Sequence, residues 1–238
     1  MSSQPETPLR VGLVAEGPTD RAVVEAALRA MLEERPFVLR QIYPDTSAAF
    51  DPELGNGGWG GVYKWCHAAA RRGGGKLSSD ALLFEALDIL ILHLDVDVAD
   101  SDYAKANLTT QAGDLPLPCA KPCPPPADSA NALRQVLLSW CGEPSTPGRV
   151  VLCVPAQCTE TWVVTALFPN DSYVQQGMEC HPNAVTRLGQ QPLAVRIKKK
   201  LADYTKSANA FSLAWPRVAK SLTEAGRFER EFREAVPT

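Results

Sequence analysis

Hydrophobic positions along the chain gather into short apolar runs separated by amphipathic stretches. Residues 9–14 (Leu-Arg-Val-Gly-Leu-Val) form one such run, ending in Ala15-Glu16-Gly17-Pro18-Thr19-Asp20. Val23, Ala27, Leu28, Met31 and Leu32 then recur at helical spacing, which predicts a helix over 18–34. Gly17 suits a tight turn before it and Pro18 its first turn. Residues 38–43 predict a second strand. The glycine-rich stretch 55–61 predicts a flexible loop, with spacing that fits neither a Walker A loop nor a G-x-G-x-x-G turn. A helix over 62–72 follows and stops at Gly73-Gly74-Gly75. The strongest strand signal is 88–94, whose continuous apolar character predicts burial on both faces, as in a central parallel strand. It runs straight into Asp95-Val96-Asp97-Val98-Ala99-Asp100. A proline-rich loop occupies 101–127, and Asp128 or Ser129 is placed to cap a helix reaching Trp140. Another apolar strand (149–154) leads to an apolar helix over 160–167, and polar helical patterns cover 196–204 and 213–236.

Strands alternating with helices predict an α/β fold, a mostly parallel sheet flanked by helices with a C-terminal helical extension. The expected division is an α/β core over 1–169, containing the long loop 101–127, and a basic helical extension over 170–238 packed on it. There is no internal repeat.

Three acidic groups fall just after three predicted strands: Glu16 with Asp20, Asp95 with Asp97 and Asp100, and Glu160. The carboxyl ends of parallel strands form the binding edge of an open sheet, so these carboxylates are expected on one edge. If strand geometry persists, Asp95 and Asp97 share a face; Glu16 and Asp20 do so across one helical turn. Like charges gathered this way repel, and burial raises the cost. A hard divalent cation such as Mg²⁺ or Mn²⁺ offsets the repulsion through oxygen ligands. Three of these acids also have a plainer reading. Asp20 and Glu160 suit the positive end of a helix, and Asp100 suits a solvated loop.

Composition sets outer bounds. The 238 residues are 45% hydrophobic and 21% charged, which excludes a chain disordered over most of its length. No apolar run is long enough to suggest a membrane span. The first residues have neither a basic nor an apolar signal-like region, so a cytoplasmic protein is expected. The net charge of −3 argues against a uniformly basic nucleic-acid binder. It is unevenly spread. Residues 196–238 hold ten basic side chains, including Lys198, Lys199, Lys200 and Lys206, against five acids, leaving −8 in the preceding residues. The basic stretch reads either as a polyanion-binding face or as a solvated amphipathic helix pair.

Glu16-Gly17-Pro18-Thr19-Asp20 after one strand and Asp95-Val96-Asp97 after a later one resemble the TOPRIM (topoisomerase–primase) domain. Pro155-Ala156-Gln157-Cys158-Thr159-Glu160-Thr161-Trp162 resembles the strand-to-helix element of small stand-alone TOPRIM proteins, RloB-like and OLD-nuclease-related, of bacterial phage-defence loci. Tyr204-Thr205-Lys206 and 227–232 resemble their C-terminal helical region. The resemblance implies a Rossmann-like sheet and a metal-dependent nuclease acting on DNA or RNA in anti-phage defence. It implies Glu16, Asp95 and Asp97 as catalytic and metal carboxylates, with Glu160 as a second-metal ligand and Asp20 or Asp100 assisting. Lys206 is the implied phosphate-stabilising lysine, with Lys200 as the alternative. A partner ATPase encoded nearby and self-association are compatible with it, and no membrane partner is implied. The competing reading is an inactive TOPRIM-fold module that binds nucleic acid or a partner.

The remaining signals carry less chemistry. Seven cysteines (66, 119, 123, 141, 153, 158 and 180) without a secretion signal read as reduced thiols. A zinc site from Cys119, Cys123, Cys158, Cys180 and His181 has only loose spacing. His93, inside the central strand, reads as packed or hydrogen-bonded. His67 shows no partner in sequence. Trp59, in the glycine loop, is the most exposed tryptophan expected, available to stack on a base.

Overall fold

The computed structural model describes residues 7–45 and 57–237. Four parallel strands form one sheet: β1 (Leu9–Val14), β2 (Phe37–Tyr43), β3 (Ile89–His93) and β4 (Val150–Cys153), in the order β2-β1-β3-β4. Val11 pairs with Ile89 and Leu90 with Val150, so β3 is central, and all five of its residues are buried. That burial explains its unbroken apolar run. β2 lies at an edge, and its exposure alternates along much of its length.

Successive strand residues face opposite sides and feed two cores. On one side Val11, Leu13, Ile89, Ile91 and Val151 meet α1 (Pro18–Leu32), α5 (Thr159–Leu167), α8 (Leu201–Ser221) and α9 (Thr223–Ala235). On the other, Val14, Leu90, Leu92 and Leu152 meet α2 (Trp59–Arg72) and α4 (Ala127–Trp140). α3 (Ala81–Ala86), α6 (Ser172–Gln175) and α7 (Ala184–Gly189) are short connectors. The expected α/β class, with helices on both faces and a C-terminal helical stretch, is what the chain adopts. That stretch shares the sheet's own core: Phe211, Trp215, Val218, Phe228 and Phe232 are buried together with β1 and β3.

The connections set up a topological switch. β1 leaves through α1 on one face toward β2, and β3 leaves through α4 on the other toward β4. The carboxyl ends of β1 and β3 therefore flank the crevice where open α/β sheets bind ligands.

Four local expectations are corrected. Strand geometry does not persist through the Asp95–Asp97 motif: β3 ends at His93, and a 3-10 turn covers Val96–Asp100 with Asp95 at the position before it. The α2 helix begins at Trp59, inside the glycine run, whose residues 55 and 56 lie outside the described residues. Trp59 is partly buried, its ring stacked on Trp140 at 6.2 Å and edge-on to Tyr103 at 6.0 Å. Finally, Cys123 and Cys180 form a disulfide with a Cα separation of 5.6 Å, so the reduced-thiol reading fails for this pair and a zinc site using it is excluded. The bridge ties the proline-rich loop to the segment before α7. That loop is further fixed by Cys119 N–H donating to Ala99 O and Tyr63 Oη donating to Thr109 O. His67 finds Asp114 at 3.0 Å from the same loop.

Candidate metal centre

Glu16 is placed by the end of β1. Its carbonyl accepts a 2.8 Å hydrogen bond from Gly58 N–H, which draws the glycine run against it. Gly57 has φ of +117°, and a Cβ there would meet Glu16 O at 2.7 Å, so this close approach requires glycine. The Glu16 carboxylate turns across the switch crevice and accepts from Asp95 N–H at 3.0 Å. The turn after β3 is held by β4's continuation: Val96 N–H donates to Pro155 O and Asp97 N–H to Gln157 O. Gln157 has φ of +64°, a costly conformation for a residue with a Cβ. It lets the strand turn directly into α5. Thr159, the first residue of α5, donates its amide to Asp95 Oδ1 at 3.1 Å and its hydroxyl to Asp20 Oδ1 at 2.8 Å. Residues from three strand ends thus converge on Asp95.

Two overlapping groups of potential ligand atoms result, each with its atoms within 4.8 Å of one another. Glu16, Asp95 and Asp97 form one. Asp20, His93 and Asp95 form the other, and all three of its members are buried. His93 Nε2 lies 3.2 Å from Asp95 Oδ1.

Burial and crowding shift the titration of Glu16, His93, Asp95 and Asp97. Burial, reinforced by the Asp95 charge, pushes the Glu16 carboxyl up to about 8. Burial pushes Asp95 up to about 7, against the pull of His93. Asp97 sits on an exposed turn, yet the protein crowding its carboxyl also raises it, against the pull of Lys199. Burial alone disfavours a charged His93, but Asp20, Asp95 and Glu16 outweigh it and raise the ring to about 9.

Glu160, fully buried in the first turn of α5, is held differently. Its Oε1 accepts from Tyr204 Oη at 2.8 Å and lies 3.3 Å from Lys199 Nζ. Burial works to raise this carboxyl, but the Lys199 charge and the Tyr204 hydroxyl bring it below its ordinary value. Glu160 is near enough for its charge to push up both Asp95 and Asp97. Lys199 in turn is raised to about 12: burial opposes its charge, and Glu160 and Asp20 prevail.

The expected residues therefore divide. Glu16, Asp95 and Asp97 meet, Asp20 joins through Asp95, and Glu160 stands beside them paired to Lys199. Asp100 is exposed at the end of the 3-10 turn, outside both groups. Lys206 is exposed and lines a separate recess with Leu193, Asp203 and Ala210. The lysine brought to the cluster is Lys199, a member of the basic run that read either as a polyanion-binding face or as a solvated one. Sequence reasoning also passed over His93 as a ligand. Its place two residues before Asp95, at the carboxyl end of the fully buried central strand, was the signal available.

Fold and site together define an α/β protein of Rossmann-like topology with a carboxylate cluster at its switch point. The chain matches no protein-family model, no curated protein and no solved structure. Among the described residues, no helix is long and apolar enough to cross a membrane.

Proposed function

We propose that this protein is a metal-dependent phosphodiesterase acting on nucleic acid. The observation that carries the reading is the convergence of Glu16, Asp95 and Asp97 at the switch crevice, with two of the three carboxyls raised to about 7 and about 8. This donor set fits Mg²⁺ or Mn²⁺: hard oxygens, partly open to solvent through Asp97, leaving positions for water and phosphate. When bound, such a cation supplies Lewis acidity and offsets phosphate charge. Glu16, Asp95 and Asp97 bind it. Thr159 orients Asp95 and Asp20, and the half-exposed Lys199 ammonium offers positive charge to a phosphate at the rim. On the TOPRIM resemblance of the Glu16–Asp20 and Asp95–Asp97 motifs, the substrate is DNA or RNA. The same resemblance supports an anti-phage setting and a partner ATPase.

One observation favours a second reading, an inactive binding module. A protonated His93 beside Asp20 and Asp95 neutralises much of the buried charge with no cation at all. Cleavage of DNA and RNA panels with Mg²⁺ or Mn²⁺ separates the two. The enzyme reading expects metal-dependent cutting that falls at least about 100-fold in Glu16→Gln and Asp95→Asn. Cutting that is equal in the variants, or absent from every panel, supports the binding module.

A further inference from the structure

His93 is the last residue of β3 and has no solvent exposure. Its ring faces Asp20 and Asp95, and one ring nitrogen and one oxygen of each carboxylate lie within 4.8 Å of one another. Its Nε2 lies 3.2 Å from Asp95 Oδ1, an ion-pair contact without good hydrogen-bond geometry, and its Nδ1 has no hydrogen-bond partner. Leaving such a group unsatisfied is costly unless another partner takes the nitrogen. Both aspartates are also held by Thr159: its hydroxyl donates to Asp20 Oδ1 and its amide to Asp95 Oδ1. Outer donors that fix ligand orientation in this way are a regular feature of metal sites.

We propose that Asp20, His93 and Asp95 form a nitrogen-containing site for a first-row transition-metal dication, sharing Asp95 with the Glu16–Asp97 carboxylates. The inference rests on the metal reading above and deepens it by naming the cation class. An all-oxygen set suits Mg²⁺, whereas an imidazole nitrogen shifts preference toward transition-metal ions. Asp95 belongs to both groups, and a cation bound at His93 would displace the ring proton to solvent, since a nitrogen ligand must be neutral.

The probe is Mn²⁺, whose unpaired electrons report directly bound nitrogen in pulsed electron paramagnetic resonance. The full-length protein loaded with Mn²⁺ should show ¹⁴N coupling of a coordinated imidazole. That coupling should be lost in His93→Gln and kept in His67→Gln/His181→Gln, where His93 is the one histidine remaining of three. Bound Mn²⁺ with no nitrogen coupling overturns this inference and leaves the carboxylate site standing. Coupling that vanishes in the double variant also overturns it. Absence of Mn²⁺ binding by calorimetry overturns both readings. Nitrogen coupling in a protein that cleaves nothing sustains the site and removes only the enzyme reading.

Discussion

Lys199 and Lys206 belong to the same basic stretch, and the fold gives them different work. Lys199 reaches Glu160 at 3.3 Å, whereas Lys206 lines a recess with Leu193 and Asp203. Lys199→Ala should therefore lower metal-dependent cleavage about 100- to 1,000-fold, the scale of losing one charge-stabilising donor. Lys206→Ala should leave cleavage within about twofold. The reverse ranking in a kcat comparison would return the role to Lys206. The buried titrating groups make a second expectation. Glu16 keeps its proton to about 8 and Asp95 to about 7 in the folded chain, while unfolded carboxylates release theirs near ~4. His93 keeps its proton to about 9, against ~6.5 unfolded. Across pH 6 to 9 these three groups bind more protons in the folded chain than in the unfolded one, and their contributions to stability are lost as pH rises; His67, held below its ordinary value by burial, opposes them only near the bottom of the window. Carboxylates held low, such as Glu160, act only at lower pH and do not mask the trend. The Tm of metal-free protein should fall over that window, and Mn²⁺ should raise it more at pH 8.5 than at pH 6. A flat profile with equal metal effects at both pH values would count against the cluster.

At the scale of elements, the C-terminal helices are structural members of the sheet's core. Trp215 of α8 is buried, edge-on to Trp162 of α5 at 5.4 Å, with Phe228 of α9 at 6.3 Å. Trp215→Ala should cost about 3–5 kcal/mol by urea unfolding, as for large aromatic truncations in cores. A loss below about 1 kcal/mol would mean that α8 and α9 are only loosely attached. The strands and their order of appearance were legible in the sequence because β1, β3 and β4 are buried along nearly their whole length, which leaves unbroken apolar runs. Glu16 and Asp95 were legible because they put a charge abruptly at the ends of those apolar runs. The 3-10 turn at Val96–Asp100 was not, since two aspartates spaced by one residue suit a strand equally well. Lys199, the Trp59 aromatic cluster and the Cys123–Cys180 bridge each depend on contacts between distant segments, which no local pattern encodes.

At the scale of the whole molecule, the net charge of −3 is unevenly divided. Part of the acidity is gathered at the crevice between β1 and β3, where α1 and α4 leave the sheet on opposite faces. The C-terminal region, which carries the basic excess, returns to that crevice: Lys199 and Tyr204 both reach Glu160. The same architecture that closes the core thus brings cationic charge to the rim of an anionic cluster, a combination suited to holding a phosphate over a cation. The most direct test is a crystal structure of the full-length protein soaked with Mn²⁺, read by anomalous scattering. The account predicts a peak about 2.1 Å from carboxylate oxygens of Glu16, Asp95 and Asp97. Full soaking with no peak at those carboxylates, or a peak confined to other surface acids, would contradict it.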